Sequence, residues 1–222
     1  MEFVKWTDEK IKKFTGYKLD IQEYVDGDLI EINFADRSKK LTSSRINISH
    51  NGTVIPATSR EWRWQDLLSF VDARYDEIAA IAKRGTITAT WAKFSHNIPY
   101  NFLPQYLIIY GVGTMKIDDV VNVCAEWRLE SAFKSTSRKL SPSDVLGMMD
   151  AKSTYDTKHS TVGYMLSAKI LVGQISRIVV TKEMLSDAWL ARSPVENKLR
   201  YQHNFKSHPS KATIGSAQIV AA

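Results

Sequence analysis

The sequence is poor in the residues that usually announce a chemistry. Cys124 is the only cysteine in 222 residues. No intrachain disulfide is possible, which suits a reducing compartment. No Gly-x-Ser-x-Gly elbow marks a nucleophilic serine. Gly111-Val112-Gly113-Thr114 stands where a phosphate loop could, but it lacks the third glycine and the Gly-Lys-Ser/Thr ending. The five histidines, His50, His96, His159, His203 and His208, show no helical metal-site spacing. Apolar runs at 106–113 and 165–180 are too short or too interrupted to span a bilayer. The first fourteen residues alternate charge with apolar side chains, unlike a signal peptide. Gly/Ser-rich or Pro-rich linkers and fixed-period repeats are also absent. These absences lead to the expectation of a soluble, cytoplasmic protein, or one packed in a virion, with no enzymatic activity, cofactor, metal or membrane partner. Cys124 itself reads as a packed, inert thiol on an apolar helix face.

Basic charge is present, and it is unevenly placed. The formal net charge is +6. Residues 1–127 hold 16 Lys and Arg against 17 Asp and Glu, whereas residues 128–222 hold 14 against 7. A basic C-terminal part points to an anionic partner such as nucleic acid.

Patterning predicts an α+β chain. A short helix is expected over 3–14. Alternating strands at 17–25 and 29–34 flank the turn Asp26-Gly27-Asp28 and read as a hairpin. Asn51-Gly52 is the strongest hairpin cue, because both residues tolerate positive φ. From Ser59, read as an N-cap, to Gly85 the apolar residues Trp64, Leu67, Leu68, Val71, Tyr75, Ile78 and Ala82 recur at helical spacing. Beyond Gly85 most signals read as helical, at 116–133, after the capping box Ser141-Pro142-Ser143-Asp144, at 160–180, at 181–190 and after Ser193-Pro194. The expected architecture is N-terminal antiparallel β-hairpins closed by a long amphipathic helix (1–85). A mainly helical C-terminal region (86–205) and an extended tail (206–222) complete it.

Single strands are held by basic grooves that track phosphates and by aromatic rings on which bases stack. Arg60, Trp62 and Arg63 at the start of the long helix combine both features and lie off its apolar face. Lys93 lies between Trp91 and Phe94. Lys134, Arg138 and Lys139 cluster in FKSTSRK, and Lys198, Arg200 and Lys206 follow near the end. With no base-reading motif around them, these residues are expected to bind the phosphate backbone in a salt-sensitive way.

A compact middle between an apolar-anchored N-terminal arm and a polar tail resembles the layout of small viral nucleoproteins and coat proteins, which implies self-association along a nucleic acid. The strand–turn–strand–helix order of residues 45–85 also resembles the single-strand-binding domain of a transcriptional coactivator. The expected function is therefore a non-enzymatic, self-associating nucleocapsid or capsid subunit. Its partner would be single-stranded nucleic acid, RNA ahead of DNA. The alternative is an adaptor acting through protein contacts alone.

Overall fold

The computed structural model describes residues 2–5, 9–14, 16–34, 46–132, 134–139, 141, 144, 147–148, 150–156, 158–171, 173–181, 185 and 190–200. Among these residues the chain forms eleven strands and three short α-helices. In order they are β1 (Glu2–Lys5), β2 (Lys18–Tyr24), β3 (Asp28–Phe34), β4 (Ile46–His50), β5 (Thr53–Val54), α1 (Trp62–Ala73), α2 (Tyr75–Ala82), β6 (Ile87–Trp91), β7 (Leu107–Val112), α3 (Ile117–Glu126), β8 (Glu130–Ser131), β9 (Lys134–Lys139), β10 (Gly163–Leu171) and β11 (Gln174–Thr181). A 3-10 turn at Glu9–Lys13 follows β1. The strands make a five-stranded sheet in the order β1-β11-β10-β2-β9 and a six-stranded sheet in the order β5-β4-β3-β6-β7-β8.

Several expectations change here. The mainly helical C-terminal region is corrected, because 134–139, 163–171 and 174–181 are strands. The 160–180 run looked like a core helix because Val162, Met165, Leu166, Ile170 and Ile178 can share a helical face. A strand covered on both faces carries the same pattern, and the β-branched Ile175, Ile178, Val179 and Val180 favour it. Tyr164, Leu166, Ile178 and Val180 pack on one face with Ile11, Phe14, Leu19 and Ile21. Met165 and Val179 join the main core on the other. Residues 192–200 run without a helix, tied by single bridges from Phe94 to Glu196 and from Leu103 to Leu199. Residues 2–5 form a parallel edge strand against β11 rather than part of a helix. The tail 206–222 and most of 181–190 lie outside the described residues.

β2 and β3 are strands, as their alternation predicts, but they are not a hairpin. β2 pairs with β10 and β9, whereas β3 pairs with β4 and β6. The Asp26-Gly27 turn therefore carries the chain from one sheet to the other. The Asn51-Gly52 hairpin forms as read, with φ of 49° and 77°. The long helix is two, broken at Arg74, whose guanidinium donates to the carbonyls of Trp127 and Arg128. Its N-cap is Glu61, not Ser59, and no side chain caps it. The predicted apolar stripe is buried, with Phe70 against Trp91 at 5.5 Å between ring centroids.

These contacts set the two faces of the six-stranded sheet. Ile30, Ile32, Ile87, Ala89 and Trp91 alternate onto the helix side. Leu29, Thr88, Thr90 and Tyr110 turn toward the other sheet, where the Tyr24 and Tyr110 rings stack at 6.2 Å. The helix side is oily, and the space between the sheets is partly polar.

Candidate functional site between the two sheets

The crossover turn closes one end of the intersheet space, and three of its backbone groups are bonded to tyrosine hydroxyls. Tyr110 Oη accepts from Val25 N at 2.8 Å, and Tyr100 Oη accepts from Asp26 N at 2.9 Å. Tyr24 Oη donates to the Gly27 carbonyl at 2.9 Å. Burial, the largest cause, pushes the Tyr24 and Tyr100 hydroxyls well above their ordinary range, so they stay protonated. Gly27 is required by close approach. A Cβ there would sit 2.6 Å from both the Trp91 carbonyl oxygen and Thr90 Cγ2.

Asp26 is completely buried. Its carboxylate accepts from Asn97 N at 2.6 Å, from Ile98 N at 3.3 Å and from Asn97 Nδ2 at 3.3 Å. Burial raises its pKa, and the His96 ring and these donors offset only part of that rise. His96 lies between two carboxylates, with Nδ1 3.9 Å from Asp26 and Nε2 3.5 Å from Asp28. Arg63 reaches Asp28 at 3.5 Å and Glu61 at 2.5 Å. The Asp26 oxygens are thus taken up by N–H donors, and Asp28 faces a guanidinium. Among the described residues no group of three or more His, Cys, Asp or Glu is arranged to hold a metal ion.

The other end of the space is built differently. Along the strand register, Ser137, Asp20, Ser167 and Arg177 lie side by side across β9, β2, β10 and β11. Asp20, Ser167 and Arg177 share the parity of Gln22, Met165 and Val179, which face the six-stranded sheet. The Arg177 guanidinium lies against bare Gly111, and its Nη2 donates to the Gly113 carbonyl at 3.1 Å. No carboxylate pairs with it among the described residues. Burial alone lowers its pKa from the usual arginine range. The buried Ser167 Oγ, the Gln22 Oε1 one row along, and Arg177 Nε have no hydrogen-bond partner; Thr181 Oγ1, also unpartnered, lies in the Tyr24 row at the crossover end.

The basic and aromatic residues singled out from sequence fall into two groups. Trp62, Arg63 and Lys93 come together where α1 starts beside the end of β6. Trp62 is exposed and meets Phe94 edge-on at 4.7 Å, while Lys93 pairs with Asp66 at 2.7 Å. Arg60 is exposed next to them. Lys198 and Arg200 are brought to the same neighbourhood by backbone bonds: Asn197 N to the Lys93 carbonyl at 2.8 Å, Lys198 N to Tyr100 at 2.9 Å and Arg200 N to Leu103 at 2.8 Å. Lys134, Arg138 and Lys139 instead sit on β9, the edge of the other sheet. Lys206 lies outside the described residues.

Sequence reasoning missed Tyr24, Asp26, Asn97, Tyr100, Tyr110, Asn197 and Arg177. Asp26-Gly27-Asp28 was a visible signal, but it reads as an ordinary hairpin turn until the partners of β2 and β3 are known. Arg177 had a weaker one, as the only charge inside an otherwise neutral strand, QISRIVVT.

No protein-family model and no curated protein matches the chain. Among solved structures the chain is similar to an RNA ligase of Naegleria gruberi, in a lysine-to-alanine variant with ATP and Mn. The TM-score is 0.57 at 12% identity, covering 87% of this chain and 57% of that one. The chain thus spans little more than half of that neighbour's length. At this identity the likeness is one of fold alone, and the fold is an enzyme's. It overturns the expectation of a non-enzymatic nucleocapsid or capsid subunit, which rested on size, charge and layout, properties that many folds share. The donors around Asp26 and His96 do not fit manganese, for the reasons given above. None of the lysines whose side chains are described is buried.

Proposed function

We propose that the chain is an RNA-processing enzyme domain of the ligase type, which holds RNA and a nucleotide. The observation that carries this reading is the two-sheet fold shared with an RNA ligase over 87% of the chain. The exposed Trp62 ring beside Arg60, with Lys198 and Arg200 on the segment that bonds to Lys93, Tyr100 and Leu103, supports it, because an exposed aromatic ring and cations suit a single strand. RNA stands ahead of DNA in this reading because the neighbour is an RNA ligase. Self-association is kept as part of it. No chemical step is assigned to a metal, since the described donors do not form its site.

The test incubates the purified chain with labelled ATP, manganese and 5′-phosphorylated single-stranded RNA. Label transfer to protein or RNA, and RNA binding that weakens steeply with salt, are the expected results. Size-exclusion mass from the same sample reads self-association. Trp62→Ala should weaken RNA binding by roughly tenfold, the scale of one lost base–aromatic stack. Absence of both label transfer and salt-sensitive RNA binding would sink the proposal.

A further inference from the structure

We infer that Arg177, with Ser167 beside it on β10, forms a binding site for a phosphoryl group at the open end of the intersheet space. The site follows from what is missing around a half-buried cation. Desolvating a guanidinium is costly unless an opposite charge accompanies it. Here the guanidinium makes one bond, to the neutral Gly113 carbonyl, and leaves Nε unpartnered. The carboxylates of the two facing rows, Asp20 on β2 and Glu31 on β3, each stand two strands away, about 9–10 Å along the sheet. Interiors leave few polar atoms unsatisfied, and each such atom calls for a partner. Three of them stand in two adjacent rows of one face: Arg177 Nε and Ser167 Oγ in the same row, and Gln22 Oε1 in the next.

The chemistry of the group selects an oxyanion. Arginine presents a planar fork of N–H donors that matches phosphate oxygens, and a serine hydroxyl adds a neutral donor alongside. Ser167 and Arg177 are directly opposed in register, so their Cβ atoms lie about 5 Å apart and both can reach one small anion. Access is open. β1 covers β11 only from Ile178 onward, so Gln174–Arg177 lies beyond that pairing, and Arg177 is half-buried rather than sealed. Gly111 contributes by having no side chain, because a Cβ there would occupy the place of the guanidinium.

The experiment measures the thermal midpoint of the full chain in inorganic phosphate against chloride at matched ionic strength. A ligand that binds only the native state raises stability with the logarithm of its concentration. The wild type should show that rise, Arg177→Met should abolish it, and Ser167→Ala should weaken phosphate by roughly tenfold, the scale of one hydrogen bond to a charged group. No phosphate-specific rise in the wild type, or a full rise in Arg177→Met, overturns the site. If Arg177→Met does not fold, Ser167→Ala decides, and unchanged phosphate affinity overturns it. Fluorescence titrations with ATP against adenosine, and with 5′-phosphorylated against 5′-hydroxyl RNA of one sequence, then assign the phosphoryl group to a nucleotide or to an RNA end. The inference stands apart from the RNA-processing function: loss of RNA binding with phosphate protection intact would remove that function and leave this site.

Discussion

The two ends of the intersheet space are built on opposite principles. At the crossover turn the hydrogen bonds of Val25, Asp26 and Gly27 are matched to tyrosine hydroxyls, and the Asp26 carboxylate accepts three N–H bonds. At the Arg177 end a half-buried guanidinium nitrogen, the buried Ser167 hydroxyl and, one row along, the Gln22 amide oxygen have no hydrogen-bond partner. Stability and binding draw on the same polar chemistry. A closed network specifies one fold, whereas an open one retains capacity for a ligand. The fold places both on one sheet, a few residues apart along β2, β10 and β11.

That contrast can be broken by substitution, with urea denaturation as the common measurement. The largest loss is expected from Asp26→Ala, which removes the buried carboxylate that accepts three N–H bonds from Asn97 and Ile98 and should cost about 2–4 kcal/mol. Gly27→Ala drives a methyl into the Trp91 carbonyl and the Thr90 side chain and should cost roughly 1–3 kcal/mol. Tyr110→Phe keeps the ring but leaves Val25 N without its acceptor, for a loss of about 1–2 kcal/mol. The smallest change belongs to the other end. Arg177→Met replaces an uncompensated cation with an apolar chain of similar length and should alter stability by less than about 0.5 kcal/mol in either direction. A loss from Arg177→Met as large as that from Tyr110→Phe would show that both ends serve stability alike, and the contrast would fail.

Local signals read well where one face of an element is wet. Asn51-Gly52 gave its turn, and the apolar stripe from Trp64 to Ala82 gave a buried helical face, because side-chain periodicity there records a boundary between core and water. Parts of 163–180 lack that boundary. Gly163–Leu166 of β10 and Ile178–Val180 of β11 are covered on both faces, so apolar residues follow one another there and do not distinguish a strand from a helix. The same limit hid the site. Asp26-Gly27-Asp28 is visible as a turn, but whether it joins neighbours in one sheet or crosses between two depends on Gln22 pairing with Met165 and Ile30 with Ala89.

The sequence by itself determined the solvated helix faces, the positive-φ hairpin, the single isolated thiol and the basic bias after residue 127. Each of these depends on residue type and on neighbours within a few positions. Only the tertiary structure decided which strands share a sheet, that Tyr100 and Tyr110 complete the bonding of a turn some 75–85 residues earlier, and that Arg177 is half-buried with no counter-charge among the described residues. Those properties come from contacts between distant segments. No local periodicity encodes them, because burial and electrostatic pairing belong to the packed sheets and not to the strand that carries the residue.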